Sequence, residues 1–71
     1  MEITILRLTE IPTNRLVHAI SKVSELTFAE ARSLLFAVGY REPQTFTVTN
    51  EDKDYIEIIK KHTVYEINTH I

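Results

Sequence analysis

The side chains able to do chemistry in this sequence are three histidines, ten carboxylates and eight Lys or Arg, with no cysteine beside them. A thiolate nucleophile, a disulfide and a thiolate metal site are therefore excluded. His18, His62 and His70 do not share the spacing of a histidine pair that grips a metal on one helix face. Glu51, Asp52, Asp54 and Glu57 crowd together, but without the alternating oxygen ligands and turn glycine of a calcium loop. They read as the charged start of a helix. Ser21, Ser24 and Ser33 have no nearby His–acid constellation and no glycine-rich elbow. The single glycine, Gly39, rules out a phosphate-cradling loop. The expectation is a non-enzymatic protein with no catalytic residue, no metal and no cofactor.

What remains is a row of positive charge. Arg15, His18 and Lys22 lie three and four residues apart, which lines them along one exposed face of a helix, and Arg32 on the next helix extends the stripe. Such a stripe is either a solvated face or a docking surface for an acidic protein partner. Lys22 has a local alternative, a salt bridge to Glu25. A net charge of -2 argues against a broad nucleic-acid surface, so ribosome or nucleic-acid association through the stripe is the alternative. The charge is also uneven. Residues 1–41 hold five Lys or Arg against four acids, and residues 42–71 hold three against six.

Positioning these residues falls to one small domain spanning 1–71, since 71 residues support a single core. Residues 3–8, ITILRL, are β-branched and apolar and predict a strand, with Ile3 and Ile5 on one side and Thr4, Leu6 and Leu8 on the other. Pro12 then Thr13 or Asn14 open a helix whose inner face is Leu16, Val17, Ile20 and Val23. Ser24-Glu25 breaks it. Thr27 and Glu30 form a capping box for a second helix, with Phe28, Ala31, Leu34, Leu35 and Val38 as its buried stripe and Gly39 as a left-handed stop. Residues 45–49, TFTVT, alternate as a half-buried strand with Phe46 and Val48 inward. Asn50 caps a third helix with Tyr55, Ile56 and Ile59 inward, and residues 63–71 alternate as a last strand. The order β-α-α-β-α-β predicts an α/β two-layer sandwich, a three-stranded sheet with helices on one face. The edge of the final strand offers a route to a homodimer.

No apolar run reaches the roughly 18 to 20 residues that cross a bilayer. The opening MEITILRLTE reads as a strand and not as a signal peptide, so a cytoplasmic protein without membrane contact is expected.

The capped second helix resembles two families that share a fold: the C-terminal domain of the bacterial ribosomal stalk protein and the protease adaptor ClpS. Leu26, Thr27, Phe28, Ala29, Glu30, Ala31 and Arg32 stand where the stalk helix opens Leu-Gly-Leu-Lys-Glu-Ala-Lys. Leu26, Thr27, Glu30 and Ala31 also follow the adaptor's opening, and Pro12 falls where adaptors carry proline. The resemblance implies a protein-binding module of stalk-like or adaptor-like kind, with contact through the first two helices. It also implies what is missing. Arg7, Leu8 and Gly39 replace the adaptor's Asn-Asp pair and His that hold a substrate's amino terminus, so that activity is expected to be absent. His18, Ser21 and Ala29 stand at basic stalk positions, and Arg32 alone keeps the charge. No counterpart of the stalk's dimerisation domain and hinge is present in these residues, so a complete stalk protein is not expected.

Overall fold

Alternating β-branched residues build β1 (Glu2–Leu8), which takes the middle of the sheet. A computed structural model of the protein describes residues 1–68. The elements follow as α1 (Asn14–Val23), α2 (Phe28–Gly39), β2 (Gln44–Thr47), α3 (Lys53–His62) and β3 (Thr63–Asn68). The sheet order is β2-β1-β3, and both pairings are antiparallel. This is the expected α/β fold, a three-stranded antiparallel sheet covered by three helices. Thr69, His70 and Ile71, expected to prolong the last strand, lie outside the described residues.

Ile3 and Ile5 point from β1 into the core and meet Leu16, Ile20, Val23, Leu35 and Ile59, all essentially buried. The other face of the sheet is polar. The Thr4 hydroxyl bonds the Thr45 hydroxyl at 2.8 Å and accepts from Asn68 Nδ2 at 2.9 Å, a short chain across all three strands. Leu8 is not on that outer face as expected. The register against β3 slips between Ile5 and Arg7, so Leu6 is an extra residue and the alternation inverts beyond it. Leu8 thereby turns back and packs against the core.

Thr13 caps α1 by accepting from Leu16 N–H, and Ser24 ends it. The joint to α2 is fastened by two serines. Ser24 donates to the Ile20 carbonyl at 2.6 Å and accepts from Leu26 N–H, while Ser21 donates to the Leu26 carbonyl at 2.9 Å. Asn50 does not cap α3: its side-chain amide donates to the Lys22 carbonyl, and its backbone N–H and that of Thr49 bond the Val23 carbonyl and close the end of α1. Asp52 caps α3 instead, accepting from Asp54 N–H at 3.0 Å.

Helix α2 starts as expected, with both halves of the capping box formed: Thr27 N–H to Glu30 at 3.0 Å and Glu30 N–H to Thr27 at 3.1 Å. The first of these bonds, then the Thr27 hydroxyl, holds the Glu30 carboxyl below its ordinary range. The far end differs from expectation. Gly39 is an ordinary helical residue, and the left-handed residue is Arg41, with φ 68°. Arg41 N–H bonds the Val38 carbonyl and Glu42 N–H the Ala37 carbonyl, the paired closure of a Schellman turn. That closure needs positive φ one residue past the cap Tyr40, a place where this sequence has Arg. At the C-terminal end of α3, His62 pairs with Glu10 and its carbonyl accepts from Thr9 N–H, tying helix to strand.

Candidate docking surface

Helix α1 lies between α2 and α3. Its inner residues Leu16, Val17, Ala19, Ile20 and Val23 are all buried, so its outer face is left to Arg15, His18 and Lys22, all exposed as expected. These three sit on the flank nearer α3. The His18 ring meets Tyr55 edge-on at 5.6 Å, and Arg15 shares a surface hollow with Asp54, Glu57 and Lys61. Two carboxylates of α3 thus stand beside the basic row. Lys22 and Glu25 form no ion pair, since α1 ends at Val23 and the helical spacing between them is lost.

Arg32 is exposed too, but it does not continue that row. It lies on the opposite flank of α1, lining a hollow of about 200 Å³ with Ile11, Pro12, Val17, Leu35 and Phe36. Its guanidinium sits 5.5 Å from the centre of the Phe36 ring, within cation–π range. No acidic side chain lines this hollow, and Arg32 has no carboxylate partner among the described residues. Ile11, on the β1–α1 connection, is 85% exposed at its rim.

Sequence reasoning placed Phe28 in the core and passed over Phe36 and Tyr40. Phe28 is 43% exposed, Phe36 53% and Tyr40 82%. With Arg32, Phe28 and Phe36 form a row at i, i+4 and i+8 along α2, and Tyr40 stands at its C-cap. The inward stripe of α2 is Ala31, Leu35 and Val38, with Leu34 only half-buried. Phe28 is in phase with that stripe but is the first residue of the helix, where the core no longer covers it. The signal that could have found the row is the excess of apolar residues on α2 over what one buried stripe needs.

Arg7 is exposed while Leu8 packs inward, so neither presents an acceptor for an amino terminus. Among the described residues no cluster of His, Asp and Glu is arranged to hold a metal. Ser21 and Ser24 have their hydroxyls engaged with backbone carbonyls at the joint. Among the described residues no helix is long and apolar enough to cross a membrane. No protein-family profile, curated protein or solved structure matches the chain, so its own geometry carries the functional reading.

Proposed function

We propose that this chain is a small non-enzymatic protein-interaction module, stalk-like or adaptor-like, that docks an acidic protein partner through α1 and α2. The observation that carries the reading is the exposed row Phe28, Arg32 and Phe36, with Tyr40 at its end, beside Ile11. Aromatic residues and Arg are the types enriched at interface centres, where rigid apolar rings bind without much loss of rotamer freedom. Arg32 gives the partner its sign. Its charge is unpaired and already desolvated on one side by Phe36, so a partner carboxylate gains a bidentate contact there. An apolar side chain next to that carboxylate fills the hollow under Ile11. The resemblance of Leu26–Arg32 to the stalk and adaptor helices supports the same two-helix contact.

Arg15, His18 and Lys22 then serve as an outer rim that steers association and does not anchor it. The acids Asp54 and Glu57 near Arg15 weigh against the alternative of nucleic-acid or ribosome association through the stripe. Elution from heparin at low salt is the expected behaviour.

The test is affinity capture from host extract with the wild type, Phe36→Ser and Arg32→Glu in parallel, followed by binding curves for any captured protein. A partner whose affinity falls at least about tenfold in both variants supports the reading. A partner indifferent to both contradicts it.

A further inference from the structure

A second surface, on the other flank of α2, has the geometry to take a strand. β2 is an edge strand, and its hydrogen-bonding pattern follows from the register. Val48 N–H bonds the Met1 carbonyl at 2.8 Å, and Phe46 and Gln44 stand opposite Ile3 and Ile5. In an antiparallel ladder the residues at that parity turn N–H and C=O toward the neighbour, and the alternate ones turn theirs away. The close approach of the Thr4 and Thr45 hydroxyls marks their pair as the non-hydrogen-bonded kind. The backbone groups of Thr45 and Thr47 therefore face outward, with no partner strand. Gln44–Thr47 is short, but it carries no charge, no proline and no bulge. The β3 edge, by contrast, carries Glu66 and pairs through the irregular register.

Beside the β2 edge runs an open groove between it and α2. Leu26, Ala29, Leu34 and Phe46 give it apolar walls, and Glu25 and Glu30 line it with no Lys, Arg or His opposing them. Glu30 is ionised, its carboxylate fixed by Thr27 N–H. The acids mark one end. Thr49 N–H is bound to the Val23 carbonyl, so the C-terminal end of β2 lies beside the α1–α2 joint that bears Glu25.

We propose that the β2 edge and this groove accept an extended segment of a partner protein as a fourth, antiparallel strand, with a Lys or Arg two residues before an apolar residue. The segment's backbone meets the outward N–H and C=O groups of Thr45 and Thr47, in the manner of strand addition at a sheet edge. Its apolar side chain lies opposite Phe46 and packs toward Leu34, and its basic side chain, one position of the same face earlier, reaches Glu25. A second copy of this chain is disfavoured as the occupant. A second β2 strand, Gln44–Thr47, carries no basic side chain to meet Glu25 and Glu30. This surface and its partner's basic character are independent of the docking row at Arg32.

The probe is the peptide acetyl-Ser-Lys-Thr-Val-Ser-amide, titrated into the isotopically labelled full chain and followed by NMR and amide hydrogen exchange. Binding should slow exchange of the Thr45 and Thr47 amides. Methylating the peptide's central Thr nitrogen, which faces β2, should weaken binding at least about tenfold, whereas methylating the Val nitrogen, which faces away, should not. Glu25→Lys should weaken it about threefold. Thr45→Pro removes the Thr4–Thr45 hydroxyl bond but no ladder bond, since that N–H serves none, and should abolish binding. The proposal is overturned if both methylated peptides bind alike, or if shifts gather at Phe36. It is also overturned by no binding at about 1 mM peptide, or by Thr45 and Thr47 protection that grows with protein concentration alone.

Discussion

Helices α1 and α2 are neighbours of similar length, yet they divide apolar and polar residues in opposite ways. On α1 every apolar residue is buried and every exposed position is polar or charged. On α2 three residues reach the core while Phe28 and Phe36 remain in solvent and Leu34 is half-covered. The reason is position. α1 is packed on both sides by α2 and α3, whereas α2 has one helical neighbour and stands at the β2 side of the sheet. A helix apolar beyond its one buried stripe either is unstable in isolation or covers something else. The comparison teaches that α1 spends its apolar residues on the core and keeps a charged rim, whereas α2 keeps apolar surface that no other element covers.

Breaking the comparison on its buried side gives the largest effects. Leu35→Ala and Ile20→Ala each delete a fully buried side chain and should cost about 2–5 kcal/mol in urea denaturation. Phe36→Ser, one residue along from Leu35, should cost less than about 1 kcal/mol while removing partner binding. If Phe36→Ser destabilises as much as Leu35→Ala, α2 has no spare face and the distinction fails.

The two ends of α2 sharpen it at a smaller scale. Thr27→Ala should cost about 1 kcal/mol through the lost cap. The Glu30 carboxyl is held below its unfolded range, so its contribution is present above the unfolded value and fades as pH falls through the folded one. Glu30→Gln should therefore flatten stability against pH in the acid range, leaving neutral-to-alkaline behaviour parallel to the wild type. At the other end, Arg41→Gly should stabilise by about 1 kcal/mol, because Arg is held at φ 68° and glycine accepts that conformation freely. A loss of stability there would mean that the Arg41 side chain has a role in packing.

The smallest effect concerns the rim. Arg15→Glu with Lys22→Glu should shift folding by about 0.5 kcal/mol or less. Partner association should slow with little change in dissociation, and salt should do the same to the wild type.

Local signals in the sequence were enough for the element order, the capping box at Thr27 and Glu30, and the inner faces of α1 and β2. Each of these is written within one turn or one strand. The misreadings came from contacts between distant residues. Leu8 changed sides because the β1–β3 pairing holds an extra residue at Leu6, which no pattern within β1 reveals. Asn50 is a good cap in isolation, but the open end of α1, at Lys22 and Val23, claims its side-chain amide and backbone N–H instead. Gly39 looked like a stop, and the Schellman turn formed around Arg41. For the site, spacing alone gave the exposure of Arg15, His18, Lys22 and Arg32. It could not divide them between two flanks, because that depends on which helix packs on which side of α1.

The central claim is that the aromatic row of α2 is the contact surface, and site-specific photo-crosslinking in the native host tests it most directly. A photoreactive residue is placed at position 36, on the row, or at position 18, on the charged flank of α1. The account predicts a discrete crosslinked protein from position 36, lost when Arg32→Glu is added, and little or none from position 18. A discrete product from position 18 with none from position 36 would contradict it.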